Sequence, residues 1–161
     1  MPTKSVKSSQ SFKYKKVGLV NVKIGENVTI VEPSNIYGCT ICEGSFVGPF
    51  VEIQSDVFIG KNCRIQSHSF ICSLVKISDH CFIGHSVTFT NDLFKDGLPS
   101  TDPKDWLPTN IGKKVSIGSG STILPVNIVA GCVIGAGSVV TKDISVKGVY
   151  AGNPARLVRK L

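Results

Sequence analysis

Aliphatic residues recur at every sixth position along most of the chain. Ile41, Val47, Ile53, Ile59, Ile65, Ile71, Ile77 and Ile83 keep this step without interruption, and Phe89 holds the phase. The same step runs through Ile24, Ile30 and Ile36, through Ile111, Ile117 and Ile123, and through Ile128, Ile134 and Val140. Side chains six apart wander around the surface of a helix, so this period excludes an amphipathic helix. A second position keeps the same phase. Four residues after the aliphatic come Val28, Ser34, Ser45, Val51, Val57, Cys63, Ser69, Val75, Cys81 and Val87, then Val115, Ser121, Cys132 and Ser138. All are small or β-branched, as a tight inward slot requires. Glycine follows the aliphatic residue at positions 25, 48, 60, 84, 112, 118 and 135, where a sharp corner is expected.

A short strand and a corner in each repeat predict an all-β triangular solenoid with three repeats to a coil. Successive coils stack at the usual inter-strand spacing of about 4.8 Å. The eighteen-residue coil that follows places His85 above Ser67 and His68 below Ser86, so the two imidazoles fall on neighbouring coils, offset by one residue.

The phase is lost over residues 90–110. This stretch holds three prolines, four aspartates and the one Trp of the chain, Trp106. A long excursion from a rigid scaffold is expected to carry binding groups. The alternative is a tolerated insertion, with Trp106 capping a coil edge or packing on a neighbouring subunit.

Composition narrows the picture. A chain of 161 residues with abundant Gly and few aromatics fits one domain of short strands and turns. The net charge of +7 is uneven. Residues 1–16 carry Lys4, Lys7, Lys13, Lys15 and Lys16 with no acid, and read as a solvated tail or an anion-binding arm preceding a domain over 17–161. A second basic cluster comprises Lys142, Lys147, Arg156, Arg159 and Lys160. With aromatics few in the chain, nucleic acid is not an expected partner. No run reaches membrane-span length and no apolar signal-peptide centre is present, so the expectation is no membrane and a cytoplasmic location. Cys39 and Cys42 have C-x-x-C spacing, but no second pair follows at zinc-finger distance; Cys63, Cys81 and Cys132 occupy inward slots instead.

Several segments resemble one group of enzymes. They are I-G-H-S-V-T-F-T-N-D at 83–92, D-W-L-P-T at 105–109, S-I-G-S-G-S-T-I-L-P at 116–125, I-G-A-G-S-V-V-T-K-D-I at 134–144 and A-G-N-P-A-R at 151–156. The chain is similar in these to hexapeptide-repeat N-acetyltransferases acting on nucleotide-linked amino sugars, the group of dTDP-3-amino-3,6-dideoxyhexose and UDP-3-amino-uronate N-acetyltransferases. The resemblance implies a left-handed parallel β-helix, a homotrimer, acetyl-CoA as cosubstrate, no metal, and a dTDP- or UDP-linked amino sugar as acceptor. Where the group usually reads N-D-x-Y-P-R, this chain has Asn91-Asp92-Leu93-Phe94-Lys95-Asp96, and Ser73 stands where the group often has Glu. The usual L-P-G is Leu124-Pro125-Val126 here.

Acetyl transfer to an amine needs a neutral amine, alignment, and donors for the tetrahedral oxyanion. The resemblance implies direct attack by the amine, with the departing sulfur taking the proton. Asn91 and Asp92 then orient the sugar, with turn formation as the alternative role. His68, Ser73, Phe94 and Trp106 are candidates for holding the acceptor, and His85 is the candidate general base. Backbone N–H groups around Gly118, Ser119, Gly120 and Ser121 are candidates for the thioester carbonyl, with Ala136 beside them. Lys142, Arg156 and Arg159 are candidate partners of the CoA phosphates. Two rival readings stand on the same solenoid. A gamma-class carbonic anhydrase would use His68, His80 and His85 on zinc, and a non-catalytic assembly subunit would use none of them.

Overall fold

The computed structural model describes residues 18–161. The basic segment 1–16 lies outside the described residues. Short strands of two to five residues form three sheets that make the faces of a triangular prism. The first face stacks 19–20, 35–37, 52–53, 70–71, 88–89, 122–123 and 139–140. The second stacks 23–24, 40–41, 58–59, 75–77, 109–111 and 127–128. The third stacks 29–30, 46–47, 64–65, 82–83, 116–117, 133–134 and 148–151. Pairing within each face is parallel and in register, as in Ile53 beside Ile71 and Ile65 beside Ile83. The protein is a left-handed parallel β-helix of hexapeptide repeats.

The period of six becomes the core directly. From Ile36 to Ile134 the aliphatic positions point inward and are essentially inaccessible, and the second slot is closed by Ser45, Cys63, Ser69, Cys81, Ser121, Cys132 and Ser138. Buried serine hydroxyls are satisfied by carbonyls of the next coil, as in Ser45 Oγ to Gly60 O at 2.8 Å and Ser69 Oγ to Gly84 O at 2.9 Å. Ile24 departs from the expectation of burial. It is 46 % exposed, because it belongs to the outermost described coil, and Val28, Ile30 and Ser34 there are only half-buried.

The glycines after the aliphatic residues also need a different explanation from the expected sharp turn. Gly84 has no left-handed φ; a Cβ there would lie 2.6 Å from Ser119 N and 2.8 Å from Ile117 O of the next coil. Close stacking of coils excludes the side chain. The turn itself falls two residues later, on left-handed residues such as Asn62, His68 and Ser86.

The excursion from the solenoid spans 90–108, shorter at its end than the expected 90–110. Thr109 and Asn110 already belong to a strand, and Thr109 is fully buried. At the C-terminal end the strand 148–151 turns back and pairs with Arg156–Lys160 in the one antiparallel ladder among the described residues. No helix among the described residues is long and apolar enough to cross a membrane.

Candidate functional site

The repeat distributes the candidate residues over two of the prism's corners. The corner between the third and first faces carries His68, His85, Gly118, Ser119, Gly120, Ser121 and Ala136, and the hairpin tip before Arg156 closes its far end. The corner between the first and second faces carries Ser73, Asn91, Asp92 and Lys142, and the excursion with Phe94 and Trp106 leaves from it. Arg159 lies on the returning strand of the hairpin, opposite Val149. One face of extended chain separates the two corners, on the order of 15–20 Å.

At the first corner, His85 Nδ1 lies 2.8 Å from Ser67 Oγ, and His85 N donates to Ser119 Oγ at 3.2 Å. Gly120 N donates to His85 O at 2.8 Å, which ties the histidine to the next coil. The imidazole is exposed, and Nε2 makes no hydrogen bond among the described residues. The Ser119 N–H likewise has no acceptor among the described residues, and Gly84, packed against it, sets no side chain beside it. A base or hydrogen-bond partner and a free backbone donor therefore share one corner. His68, one coil away, stacks its ring on Phe50 with centroids 4.8 Å apart. Ser67 and Phe50 are additions to the candidates named from sequence. The eighteen-residue coil already placed Ser67 beneath His85, whereas nothing in the repeat marked Phe50.

The second corner is organised by Asp92. Its Oδ1 accepts from Phe94 N at 2.8 Å and its Oδ2 from Ser100 N at 2.7 Å, so both carboxylate oxygens serve the excursion's own backbone. Asn91 Nδ2 donates to Ser73 O at 3.3 Å, and Leu107 N donates to Asn91 O at 2.8 Å, closing the neck of the excursion. Ser73 Oγ meets Ser55 Oγ at 3.3 Å. Phe94 is 56 % exposed, and Trp106 follows a single 3₁₀ turn, Pro103–Asp105, whose cap is Asp102. Within the excursion a cleft of about 700 Å³ is lined by Asp92, Leu93, Lys95, Leu98, Ser100 and Leu107, among others.

Lys142 is exposed, as are Arg156 and Arg159; Arg156 Nη1 donates to Ala155 O at 3.0 Å. His80 lies at the third corner, where its N donates to Lys61 O at 2.8 Å, apart from His68 and His85. Among the described residues of one chain, no three metal-ligating side chains converge.

Two repeat families match the chain. The bacterial transferase hexapeptide family (six repeats) matches residues 38–73, and the hexapeptide repeat of succinyl-transferase matches residues 108–142. A Saccharomyces cerevisiae protein named "Putative acetyltransferase YJL218W" is 50 % identical over 56 residues, which cover 34 % of this chain and 29 % of that protein. The chain thus aligns with less than a third of the length of this relative. Among solved structures, galactoside acetyltransferase in complex with coenzyme A is 29 % identical, with a TM-score of 0.62, over 88 % of this chain and 65 % of the other. A point mutant of perosamine N-acetyltransferase from Caulobacter crescentus, in complex with CoA and GDP-perosamine, shares the fold. It is 21 % identical, with a TM-score of 0.58, over 85 % of this chain and 53 % of the other.

Proposed function

We propose that this hexapeptide-repeat chain is an acetyl-CoA-dependent N-acetyltransferase acting on a nucleotide-linked amino sugar. The observation that carries the reading is the His85 corner, where an imidazole held at Nδ1 by Ser67 stands beside the free N–H of Ser119. That pairing offers a hydrogen-bonding side chain for an amine and a donor for an acyl oxygen, as acyl transfer needs. The likeness to galactoside acetyltransferase with bound coenzyme A supports the choice of donor. The T-N-D and D-W-L-P-T segments, with the fold shared with perosamine N-acetyltransferase, favour an amino-sugar acceptor.

The acceptor amine attacks the thioester carbonyl, forming the N–C bond, while the Ser119 N–H receives the developing oxyanion. Collapse breaks the C–S bond, and the proton lost from the amine ends on the departing CoA sulfur. Asn91 orients the sugar, and Asp92 sustains the loop that presents it. Because Asn91 and His85 occupy different corners of one prism, a complete site takes one corner from each of two subunits, and a homotrimer supplies three such sites.

The test is acetyl-CoA turnover against a panel of dTDP- and UDP-linked amino sugars, with sedimentation to read the assembly. Turnover of at least one member by a trimer is expected. A protein that turns over none of them and gains no thermal stability from acetyl-CoA is instead a non-catalytic subunit. A monomer that turns over substrate would remove the shared site.

A further inference from the structure

The corner that carries His68 and His85 also carries an aromatic ring with no part in the chemistry above. Phe50 lies one coil toward the N-terminal end from His68, and the two rings stack at 4.8 Å with an interplanar angle of 16°. Phe50 is 56 % exposed and its backbone is left-handed, with φ 60°. A bulky side chain is disfavoured in that region, and most other corners of the solenoid fill the position with Gly, Asn or Asp. A buried ring would offset the cost through packing, whereas a ring left more than half exposed recovers little of it. Strain retained at an exposed aromatic residue beside a candidate site points to a ligand.

A second observation identifies what the ring faces. A depression of about 260 Å³ adjoins Phe50 and is lined also by Pro33, Ser34, Asn35, Val51 and Glu52. The side-chain amide of Asn35 makes no hydrogen bond among the described residues. An amide offers an acceptor and two donors in one plane, matching the C=O and N–H edge of a uracil or thymine ring.

We propose that Phe50, backed by His68, is the stacking platform for the pyrimidine base of the acceptor, with Asn35 reading the base edge. The proposal rests on the nucleotide-linked acceptor assigned above and deepens it. His68 covers one ring face of Phe50. Pro33 lies one coil away on the opposite side, and the depression that Phe50 and Pro33 both line is the space for the base. Two coils separate Phe50 from His85, about 10 Å. The ribose and pyrophosphate span that gap, with the amino sugar at the His85 end.

The experiment titrates UDP and dTDP into the wild-type protein, Phe50→Ala, Phe50→Gly and Asn35→Ala by calorimetry. Turnover is measured in parallel with nucleotide-linked and free amino sugars. Loss of one base–aromatic stack is expected to weaken nucleotide binding by about 5- to 150-fold. The KM for the nucleotide-linked acceptor should rise by the same factor, and that for acetyl-CoA should stay unchanged. Phe50→Gly relieves the left-handed backbone, so its Tm should equal or exceed that of the wild type, separating lost binding from misfolding. Undiminished nucleotide affinity in Phe50→Ala overturns the platform and leaves the acceptor reading standing. A wild-type protein that binds neither nucleotide yet acetylates free amino sugars overturns both. A shift from trimer to monomer in Phe50→Ala makes the ring a subunit contact and overturns the platform alone.

Discussion

Ser67 and His85 belong to neighbouring coils, and the serine hydroxyl meets Nδ1 of the imidazole at 2.8 Å. One turn of the solenoid separates the two residues, so the rigidity of the stacked backbone fixes their geometry. The bond holds the ring by Nδ1 and leaves Nε2 without a partner among the described residues, open to the acceptor amine of the proposed reaction.

If alignment supplies most of the rate, His85→Asn should retain activity within about tenfold of the wild type, the low side of general-base effects. Its kcat should still rise with pH as the amine deprotonates. Ser67→Ala, which frees the ring without removing it, should lower kcat by a smaller factor at unchanged KM for acetyl-CoA. A loss of about a thousandfold in His85→Asn, with binding intact, would make His85 the base.

Asp92 holds Phe94 N and Ser100 N with its two oxygens, so it shapes the excursion from within. Asp92→Asn keeps one acceptor and replaces the other with a donor facing an N–H. Removing a charge-assisted bond of this kind costs about 1.5–3 kcal/mol, borne locally by the loop. We expect faster proteolysis within 93–106, a raised KM for the acceptor, and an unchanged global Tm. Asn91→Ala should instead lower kcat by up to about a hundredfold through misalignment, with the loop still protected from protease. Equal protease sensitivity of the two variants would contradict this division of roles.

The solenoid was legible because its inner slot admits only one kind of side chain at each sixth residue, and a burial rule repeated over many coils leaves a strong trace. The same arithmetic reaches the site. Residue 85 plus six is residue 91, so His85 and Asn91 must stand at successive corners, and eighteen back from His85 is Ser67. The period carries no information where the chain leaves the solenoid. The bonds of Asp92 to Phe94 and Ser100 lie inside the excursion, and the hairpin of Arg156–Lys160 runs antiparallel, outside the coil's phase. Phe50 was hidden for another reason: the repeat does not mark which corner residue takes the left-handed φ, so a ring there looks ordinary until its φ and its stacking on His68 are seen.

Gly84 lies beneath backbone atoms of the next coil, where a Cβ would come 2.6 Å from Ser119 N. Backbone in a stacked solenoid cannot yield as a flexible side chain can. Gly84→Ala should therefore destabilise the fold by about 1–3 kcal/mol, as overpacking does. Urea unfolding would read the loss. The same change pushes on Ser119, so turnover should fall further than the folded fraction does. Activity that tracks only the folded fraction would remove Ser119 from the acyl site.

Burial pushes the Cys39 thiol up to about 11 and the Cys72 thiol to about 12. In the unfolded chain a thiol ionises near about pH 8.5. The folded state thus holds these protons more tightly, and the stability this confers is complete below that pH. It is lost as pH rises toward the folded values. The urea midpoint should fall steadily from about pH 8.5 upward, and Cys39→Ala with Cys72→Ala should flatten that slope whatever it does to stability at neutral pH. An identical slope in the double variant would locate the alkaline sensitivity elsewhere.

Lys142 and Arg156 stand at different corners of the last coils, so in the proposed trimer a CoA molecule lying between two subunits would take one cation from each. Lys142→Ala and Arg156→Ala should each raise the KM for acetyl-CoA, by about 1–3 kcal/mol where the phosphate contact is shielded from water. If Lys142 holds the 3′-phosphate, its variant should no longer prefer CoA over dephospho-CoA, and an unchanged preference would remove that assignment. Mixing decides whether the site is shared. In trimers assembled at random from equal amounts of the two variants, a site built from Lys142 of one subunit and Arg156 of the next regains both cations about one time in four. The mixture should then show a fraction of sites with wild-type KM. A site built within one subunit never regains both, because every chain lacks one of them. Titration with acetyl-CoA at low concentration separates the outcomes: a high-affinity phase of about a quarter of the amplitude for the shared site, and no such phase for the unshared one.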